Sequence, residues 1–239
     1  SDSDVQNFIV NGYVQVRTDL PESVHRTIFD KSNHIFSDLT DPKQEITRNP
    51  QNNILPVVPE LQQIVDAPHV KGALTSLLGE NYVMLPHRHC HPNFTFTLSK
   101  DTMVVDDRRL TMKVHKDGHA GAQKPRHRVP RWVILFYYPQ ECTDDQGPTV
   151  IIPRSHYQHN LARTADGMLS SDDPLQYLER KANGNYELPE NYIYRTLMPL
   201  SGGLGDVSIM HFDVGHSVVE NLASRHRYGQ KFVFMRTEE

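Results

Sequence analysis

Cysteine is scarce in this chain: Cys90 and Cys142 are the only two in 239 residues. Two thiols cannot build a disulfide framework or a Cys-rich structural zinc site, so a reducing, cytoplasmic setting is the simpler expectation. Long apolar runs are missing too. Nothing approaches the ~18 consecutive apolar residues that a membrane span requires, and the opening Ser1-Asp2-Ser3-Asp4 shows no apolar leader segment. The formal net charge is -4, with 25 basic and 29 acidic residues interspersed. No basic stripe stands out, so neither nucleic acid nor a membrane surface is an expected partner. Internal repeats, low-complexity tracts and linkers are also absent. What is there, at 37% hydrophobic and 23% charged, reads as one ordinary globular domain over 1–239.

Helical signals come first. Asn11-Gly12 marks a turn before the β-prone run 13–16, within 8–17 (FIVNGYVQVR). Leu20-Pro21-Glu22 then opens a helix, with Val24, Ile28, Lys31 and Ile35 at helical spacing. Residues 41–59, rich in Pro and Asn, read as loop. A second helical region spans 61–78, interrupted near Pro68 and stopped by Gly79. From Tyr82 the character changes to short strands: 83–91, 94–98, 110–115, 132–138, 149–152, 207–211 and 231–235. The run 132–138 (WVILFYY) is apolar almost throughout, as expected of a strand buried on both faces. Residues 157–192 are irregular, with helical character near 174–181. Helices followed by many short strands predict an α+β, mainly β fold, a jelly-roll-like double sheet buttressed by N-terminal helices.

Histidine is abundant, at 14 residues, so spacing has to carry the argument. In 110–118 (LTMKVHKDG), alternation puts Thr111, Lys113, His115 and Asp117 on one strand face. An imidazole and a carboxylate side by side at a strand end are two-thirds of the facial triad that leaves iron(II) open positions. His211-Phe212-Asp213 is a second copy, which shows how cheaply the pattern arises. His216 lies downstream after a β-prone segment, and Arg227 follows with ten residues between; counted from His211, the same position is Leu222. A guanidinium there suits a bidentate grip on a carboxylate. His87, His89 and His91 (HRHCH) alternate on one strand face, either lining a pocket or offering a second metal site. A register shift would turn Arg88 inward instead. Lys124, Arg126, His127 and Arg128, with His119, make a basic loop that is either solvated or placed to attract an anionic substrate.

These segments resemble the phytanoyl-CoA dioxygenase family of 2-oxoglutarate oxygenases. The likeness runs from 8–16 (FIVNGYVQV) and Leu78-Gly79 through His115-Lys116-Asp117, Trp132, 147–156 (GPTVIIPRSH) and Gly205-Asp206 to His216, Asn221 and Arg227. The family's Pro-Gly-Ser-His stands here as Pro153-Arg154-Ser155-His156, and its small residues after the distal His are Ser217, Val218 and Val219. The resemblance implies a double-stranded β-helix core over 81–239 with 1–80 as helical support and 157–192 as an insertion. It implies iron(II) held by His115, Asp117 and His216, with 2-oxoglutarate and O2 as cosubstrates. Arg227 would bind the distal carboxylate of 2-oxoglutarate, and Trp132 is similar to a family residue near the cosubstrate, with core packing as its other reading. Asn221 is expected to shape a turn. His87 and His89 are candidates for substrate contact.

The implied reaction is oxidative decarboxylation of 2-oxoglutarate to succinate and CO2, coupled to hydroxylation of a C–H bond in a small molecule. That substrate could be a metabolite, an amino-acid derivative or an acyl compound. Related halogenases lack the carboxylate at the position of Asp117, so its presence favours oxygen transfer. Two rivals stand beside this reading. One is a zinc-dependent hydrolase or isomerase on a cupin-like barrel, using the HRHCH histidines. The other is a non-catalytic binding relative, whose signature would be a missing ligand.

Overall fold

The computed structural model describes residues 1–39, 48–93, 103–105, 107–111, 132–156 and 197–237. Helix α1 (Asp2–Asn11) opens on a capping box, in which Ser1 accepts from the Asp4 amide and Asp4 answers to the Ser1 backbone. Gly12 ends it in the left-handed region at φ 85°, its N–H reaching the Phe8 carbonyl at 2.9 Å. The stretch around Phe8, similar in sequence to an opening strand, is therefore helical, and strand β1 (Tyr13–Arg17) starts only after the glycine. Local capping decides this boundary.

Helix α2 (Glu22–Phe36) is where the sequence places a helix, but the buried stripe is His25, Ile28, Ser32 and Phe36. Val24 and Ile35 flank it, and Lys31 reaches out to pair with Glu60 at 2.5 Å. A short 3-10 turn (Pro50–Asn52) precedes α3 (Leu61–Asp66) and α4 (Pro68–Leu78), which Pro68 separates and Gly79 caps. No helix among the described residues is long and apolar enough to cross a membrane.

The strands are β2 (Tyr82–Asn93), β3 (Met103–Val105), β4 (Arg108–Leu110), β5 (Trp132–Tyr137), β6 (Thr149–Ile151), β7 (Met198–Pro199), β8 (Asp206–His211), β9 (His216–Val218) and β10 (Arg227–Arg236). They form a five-stranded sheet ordered β1-β8-β5-β10-β2, a three-stranded sheet ordered β7-β6-β9 and a two-stranded β3-β4 ribbon. All the pairings are antiparallel. This is the helix-buttressed double sheet that the sequence predicts. The segments 94–98, 112–115, 157–192 and the helix near 174–181 lie outside the described residues.

Two apolar layers result. Val133, Leu135, Tyr137, Val207, Ile209, Tyr228, Phe232 and Phe234 face the helices and pack with Phe8, Ile28, Phe36, Leu61 and Leu74. Ile134, Phe136, Met210 and Val233 face the other way, against Ile151 of the smaller sheet and Leu200 and Val214 beside it. Successive residues of β5 thus serve opposite layers, which is why that strand carries no charged residue. Each fully buried aliphatic or aromatic side chain contributes about 1.5–3 kcal/mol.

Polar residues in the α2 stripe are explained by what they meet. His25 Nδ1 and the Tyr137 hydroxyl are hydrogen-bonded at 2.6 Å, and Gln230 Nε2 donates to Ser32 Oγ at 3.1 Å. Burial lowers the pKa of His25 from its ordinary 6.5, outweighing a backbone hydrogen bond that raises it. A base whose folded pKa lies below its unfolded one binds its proton more readily when unfolded. Its contribution is therefore intact above pH 6.5 and lost as the pH falls below it. The melting temperature should accordingly drop less steeply below pH 6.5 in His25→Gln than in the wild type, with His226, lowered by burial in the same way, accounting for part of what remains. Parallel melting curves across that range would contradict the assignment.

Candidate functional site

Strand register decides which side chains meet between the sheets. Lys231 pairs with Phe136 on β5 and with His89 on β2, and Gly229 pairs with His91. Directly paired residues share a face, and Phe136 belongs to the inter-sheet layer. His89, His91, Arg227, Gly229 and Lys231 therefore line the inward face. Cys90 looks the other way, with Gln230 Nε2 at 3.3 Å from its sulfur and its amide donating to Asn49 Oδ1 at 2.9 Å. Arg88 shares that outward parity and folds back onto the carbonyls of Leu85 and Met84, at 3.0 and 3.2 Å. Of the two registers open to HRHCH, the histidines are the inward set. His87 lies in β2, but its side chain falls outside the description, as do His115, Asp117 and the basic loop with Lys124, Arg126, His127 and Arg128.

His216 opens β9 opposite Ile151, with its ring 6.1 Å from that of Phe136. The peptide before it is pinned from two sides: Gly215 donates to Ser155 Oγ at 2.7 Å and its carbonyl accepts from Ile152 at 2.8 Å. His216 Nδ1 lies 3.1 Å from the Val214 carbonyl. A carbonyl only accepts, so Nδ1 carries the hydrogen and the lone pair sits on Nε2. That is the tautomer a metal-binding imidazole adopts when a backbone oxygen orients it. The run that leads toward His115 enters beside this strand. Thr111 donates its amide to the Val218 carbonyl at 2.8 Å, and Glu220 donates to the Arg109 carbonyl at 2.7 Å.

The second His-x-Asp copy is placed elsewhere. His211 continues the helix-facing parity of Val207 and Ile209, its ring 6.2 Å from Phe8 and 5.1 Å from His156. Its Nδ1 accepts from the Asp213 amide at 3.0 Å, so this imidazole holds the opposite tautomer to His216.

Arg227 opens β10 and is only 2% exposed. Nε and Nη2 both donate to the Gly147 carbonyl, at 3.0 and 2.7 Å, and Nη1 donates to the His91 carbonyl at 3.0 Å. Its guanidinium lies over the Tyr138 ring, 5.3 Å from the centroid. Of the five guanidinium N–H groups, three are thus engaged with the backbone, leaving one on each Nη. Two parallel N–H groups at the tip are the fork that a carboxylate fits. Gly147 is itself held in place: at φ +67° it occupies the left-handed region, and its carbonyl also accepts from Asn93 Nδ2 at 3.0 Å. Asn93 Nδ2 bonds the Val219 carbonyl at 2.9 Å, and Asn221 Nδ2 bonds the carbonyls of Asn93 and Arg225, both at 2.9 Å. Asn221 thus shapes the turn between β9 and β10. Asn93 is a part of the arrangement that no sequence signal singled out, and Gly147 enters the sequence reading only as the first residue of 147–156.

Gly229 makes room for the guanidinium, because a Cβ at that position would collide with Arg227 Nη1 and stand 3.3 Å from Tyr138 Cε1. Gly229→Ala should therefore push the fork off its carbonyl anchors. Affinity for a carboxylate ligand read by titration should fall about tenfold or more, the worth of one displaced charge-assisted hydrogen bond. Unchanged affinity would show that the fork is not the ligand contact.

Trp132 opens β5 on the inward side, its ring 4.3 Å from that of Phe212, against the inter-sheet layer. Core packing accounts for this contact. Both cysteines are buried and neither is in a disulfide, and burial pushes the Cys142 thiol up to about 11.

Residues 10–229 match the family model described as phytanoyl-CoA dioxygenase. No curated protein sequence matches significantly. Among solved structures, the chain is similar to SnoN, a non-haem α-ketoglutarate-dependent epimerase from nogalamycin biosynthesis, with 12% identity, a TM-score of 0.60, and 98% of this chain and 82% of that one covered. It is similar to SnoK, a non-haem α-ketoglutarate-dependent carbocyclase of the same biosynthesis, with 14% identity, a TM-score of 0.59 and coverages of 99% and 84%. HygX from Streptomyces hygroscopicus, solved with nickel and 2-oxoglutarate bound, matches with 12% identity, a TM-score of 0.60 and coverages of 99% and 87%. At such identities the shared property is the fold.

Proposed function

Because the chain belongs to the phytanoyl-CoA dioxygenase family, we propose that it is a non-haem iron(II)- and 2-oxoglutarate-dependent oxygenase acting on a small molecule. His115, Asp117 and His216 hold the metal, and Arg227 holds the distal carboxylate of 2-oxoglutarate. The observation that carries the reading is the pairing of an Nε2 lone pair on His216 with a carboxylate-shaped fork on Arg227, both presented to the space between the sheets. An imidazole oriented by a backbone carbonyl suits iron(II).

Iron, when bound, supplies the oxygen chemistry, with 2-oxoglutarate giving up two electrons and leaving as succinate and CO2. The chain's own residues bind and orient. Val214 fixes the His216 ring, Gly147 and His91 fix the Arg227 fork, and the apolar layer of Ile134, Phe136 and Val233 keeps water from the reacting carbon. Trp132, opposite Met235 at the end of β5 remote from Arg227, packs on Phe212 and walls the inter-sheet space rather than the carboxylate that Arg227 holds. With Asp117 filling the third protein position, one oxygen atom goes to the substrate as a hydroxyl group and the other to succinate. SnoN and SnoK, an epimerase and a carbocyclase by their titles, mark the other outcomes to distinguish.

Anaerobic iron(II) titration with 2-oxoglutarate should raise the weak visible charge-transfer band of a chelated 2-oxo acid. Admitting oxygen should then consume 2-oxoglutarate and produce succinate in equal amounts. A sample that binds neither iron nor 2-oxoglutarate would sink the proposal and restore the non-catalytic reading.

A further inference from the structure

Position along β10 measures out the space between the sheets. Arg227 opens the strand, Lys231 stands opposite Phe136, and Met235 stands opposite Trp132. At about 3.3 Å per residue, each four-residue interval spans roughly 13 Å. The Phe136 ring lies 6.1 Å from that of His216, so this candidate ligand is level with the middle of the strand. A cosubstrate gripped by Arg227 and reaching toward His216 takes the interval from 227 to 231. The interval from 231 to 235 lies beyond His216, and the substrate has to approach from there.

The two intervals differ in chemistry. The first presents Arg227, Gly229 and Lys231 on β10, with His91 and His89 across from the last two on β2. In the second, Val233 pairs with Ile134, and the next row is Val83, Met235 and Trp132. On the smaller sheet the row through His216 continues as Ile151 and Met198. None of the side chains in this second set carries a charge or a hydroxyl. Burial changes along the same direction. Ile134 is fully buried and Val233 is 7% exposed, whereas Trp132 and Met235 are half-buried and Val83 is 43% exposed. Leu85 and Met198, also half-buried, border the same layer. The layer thus ends in an apolar rim that stays partly open, the kind of surface that a ligand covers with a gain in free energy. Methionine in such a rim is unbranched and re-packs around a guest.

We propose that the interval from Phe136 to Met235 is the substrate site, and that it takes a small molecule whose inner body is uncharged and apolar. Val83, Leu85, Trp132 and Met235 form the wall on which that body packs, and any charged group of the substrate lies outside the wall. This rests on the oxygenase reading above and deepens it by naming the substrate class. An apolar body seated there displaces water from the reacting carbon and is oriented by shape. A charged body would lose its hydration with no counter-charge from these side chains in return.

Trp132 is the one tryptophan of the chain, so its fluorescence reads the wall directly. The probes are straight-chain 1-alkanols from butanol to octanol, with alkylammonium and alkanoate ions of the same lengths. Fluorescence is followed on the chain loaded with redox-inert zinc(II) and saturating 2-oxoglutarate, and the charge-transfer band on the anaerobic iron(II) form. Alkanol affinity should rise about fourfold for each added methylene, the worth of burying one. Each ion should bind at least about tenfold more weakly than the alkanol of its length, and octanol should shift the band. Met235→Gln and Val83→Gln should flatten the rise with length, while Met235→Leu should keep it. All three should bind 2-oxoglutarate as the wild type does. Val83 is the exposed member of the wall, so its substitution spares folding. Affinity independent of alkanol length, ions binding as tightly as alkanols, or a fluorescence change that leaves the band unmoved each overturns the proposal. A rise with length that survives in both glutamine variants overturns it too. A wild-type chain with the band but a flat alkanol series refutes the apolar site alone, whereas a wild type without the band refutes the oxygenase reading and the substrate assignment with it.

Discussion

His216→Ala should abolish both the iron(II)–2-oxoglutarate charge-transfer band and turnover, while His211→Ala should retain both. The two histidines stand five residues apart, each near an aspartate in sequence, and differ in where their strands aim them. His216 faces the inter-sheet layer beside Phe136, with Nδ1 committed to the Val214 carbonyl and Nε2 presenting its lone pair. His211 faces the helices between Phe8 and His156, its Nδ1 already accepting from Asp213. Residues that merely orient a ligand are worth about 10–100-fold in metal affinity, so losing a ligand should cost more than about 100-fold. His211→Ala should instead show up in thermal stability, because a buried ring is removed from a packed layer. Iron affinity measured by band titration on both variants decides the point. A band persisting in His216→Ala, or lost in His211→Ala at full folding, would reverse the assignment.

The sequence made this much of the site legible because alternation and strand order are local properties. The almost unbroken apolar run over 132–138 implies that both faces of β5 are buried, and the structure shows each face joined to a different layer. The offset from His216 to Arg227 singled out the two residues that open β9 and β10, although the strand pattern of the sequence shows no strand at 216 and starts the last one only at 231. Periodicity on α2 found the helix but misjudged its buried stripe. His25 and Ser32 look exposed by polarity, and only their partners Tyr137 and Gln230, more than a hundred residues away, reveal why they are inside. The same limit hid Asn93 and Gly147. Asn93 belongs to no motif and Gly147 stands only as the first residue of 147–156, and their importance comes from hydrogen bonds to partners distant in sequence. Lys231 was within reach, since it shares the alternation of Arg227 along β10, but it carries no motif to draw attention to it. The helical start before Gly12 is hidden by the resemblance around Phe8 to an opening strand, whereas the capping box at Ser1 and Asp4 starts a helix there.

Arg227→Met should weaken 2-oxoglutarate binding by about 30-fold to several-thousand-fold, corresponding to the roughly 2–5 kcal/mol lost when one partner of a buried charged pair is truncated. Part of any loss would be structural. Removing the guanidinium takes one donor from the His91 carbonyl and two from Gly147, which keeps Asn93. Each buried acceptor left unmade costs about 1–3 kcal/mol, so the melting temperature should fall too. A 2-oxo acid without the distal carboxylate separates the two effects. 2-Oxovalerate chelates through the same keto acid end but offers the fork nothing, so wild type and Arg227→Met should differ on it only by the structural part. The difference between the two ligands, taken across the two proteins, is the interaction itself, free of the cost of a loosened scaffold. Arg227→Lys should fall between them, since it keeps the charge but not two parallel N–H groups. The Michaelis constant for 2-oxoglutarate should rise in both variants, with the turnover number at saturation changing less. Equal losses for 2-oxoglutarate and 2-oxovalerate would mean that Arg227 holds the strands together and that another cation of the inward face, Lys231 first, meets the cosubstrate.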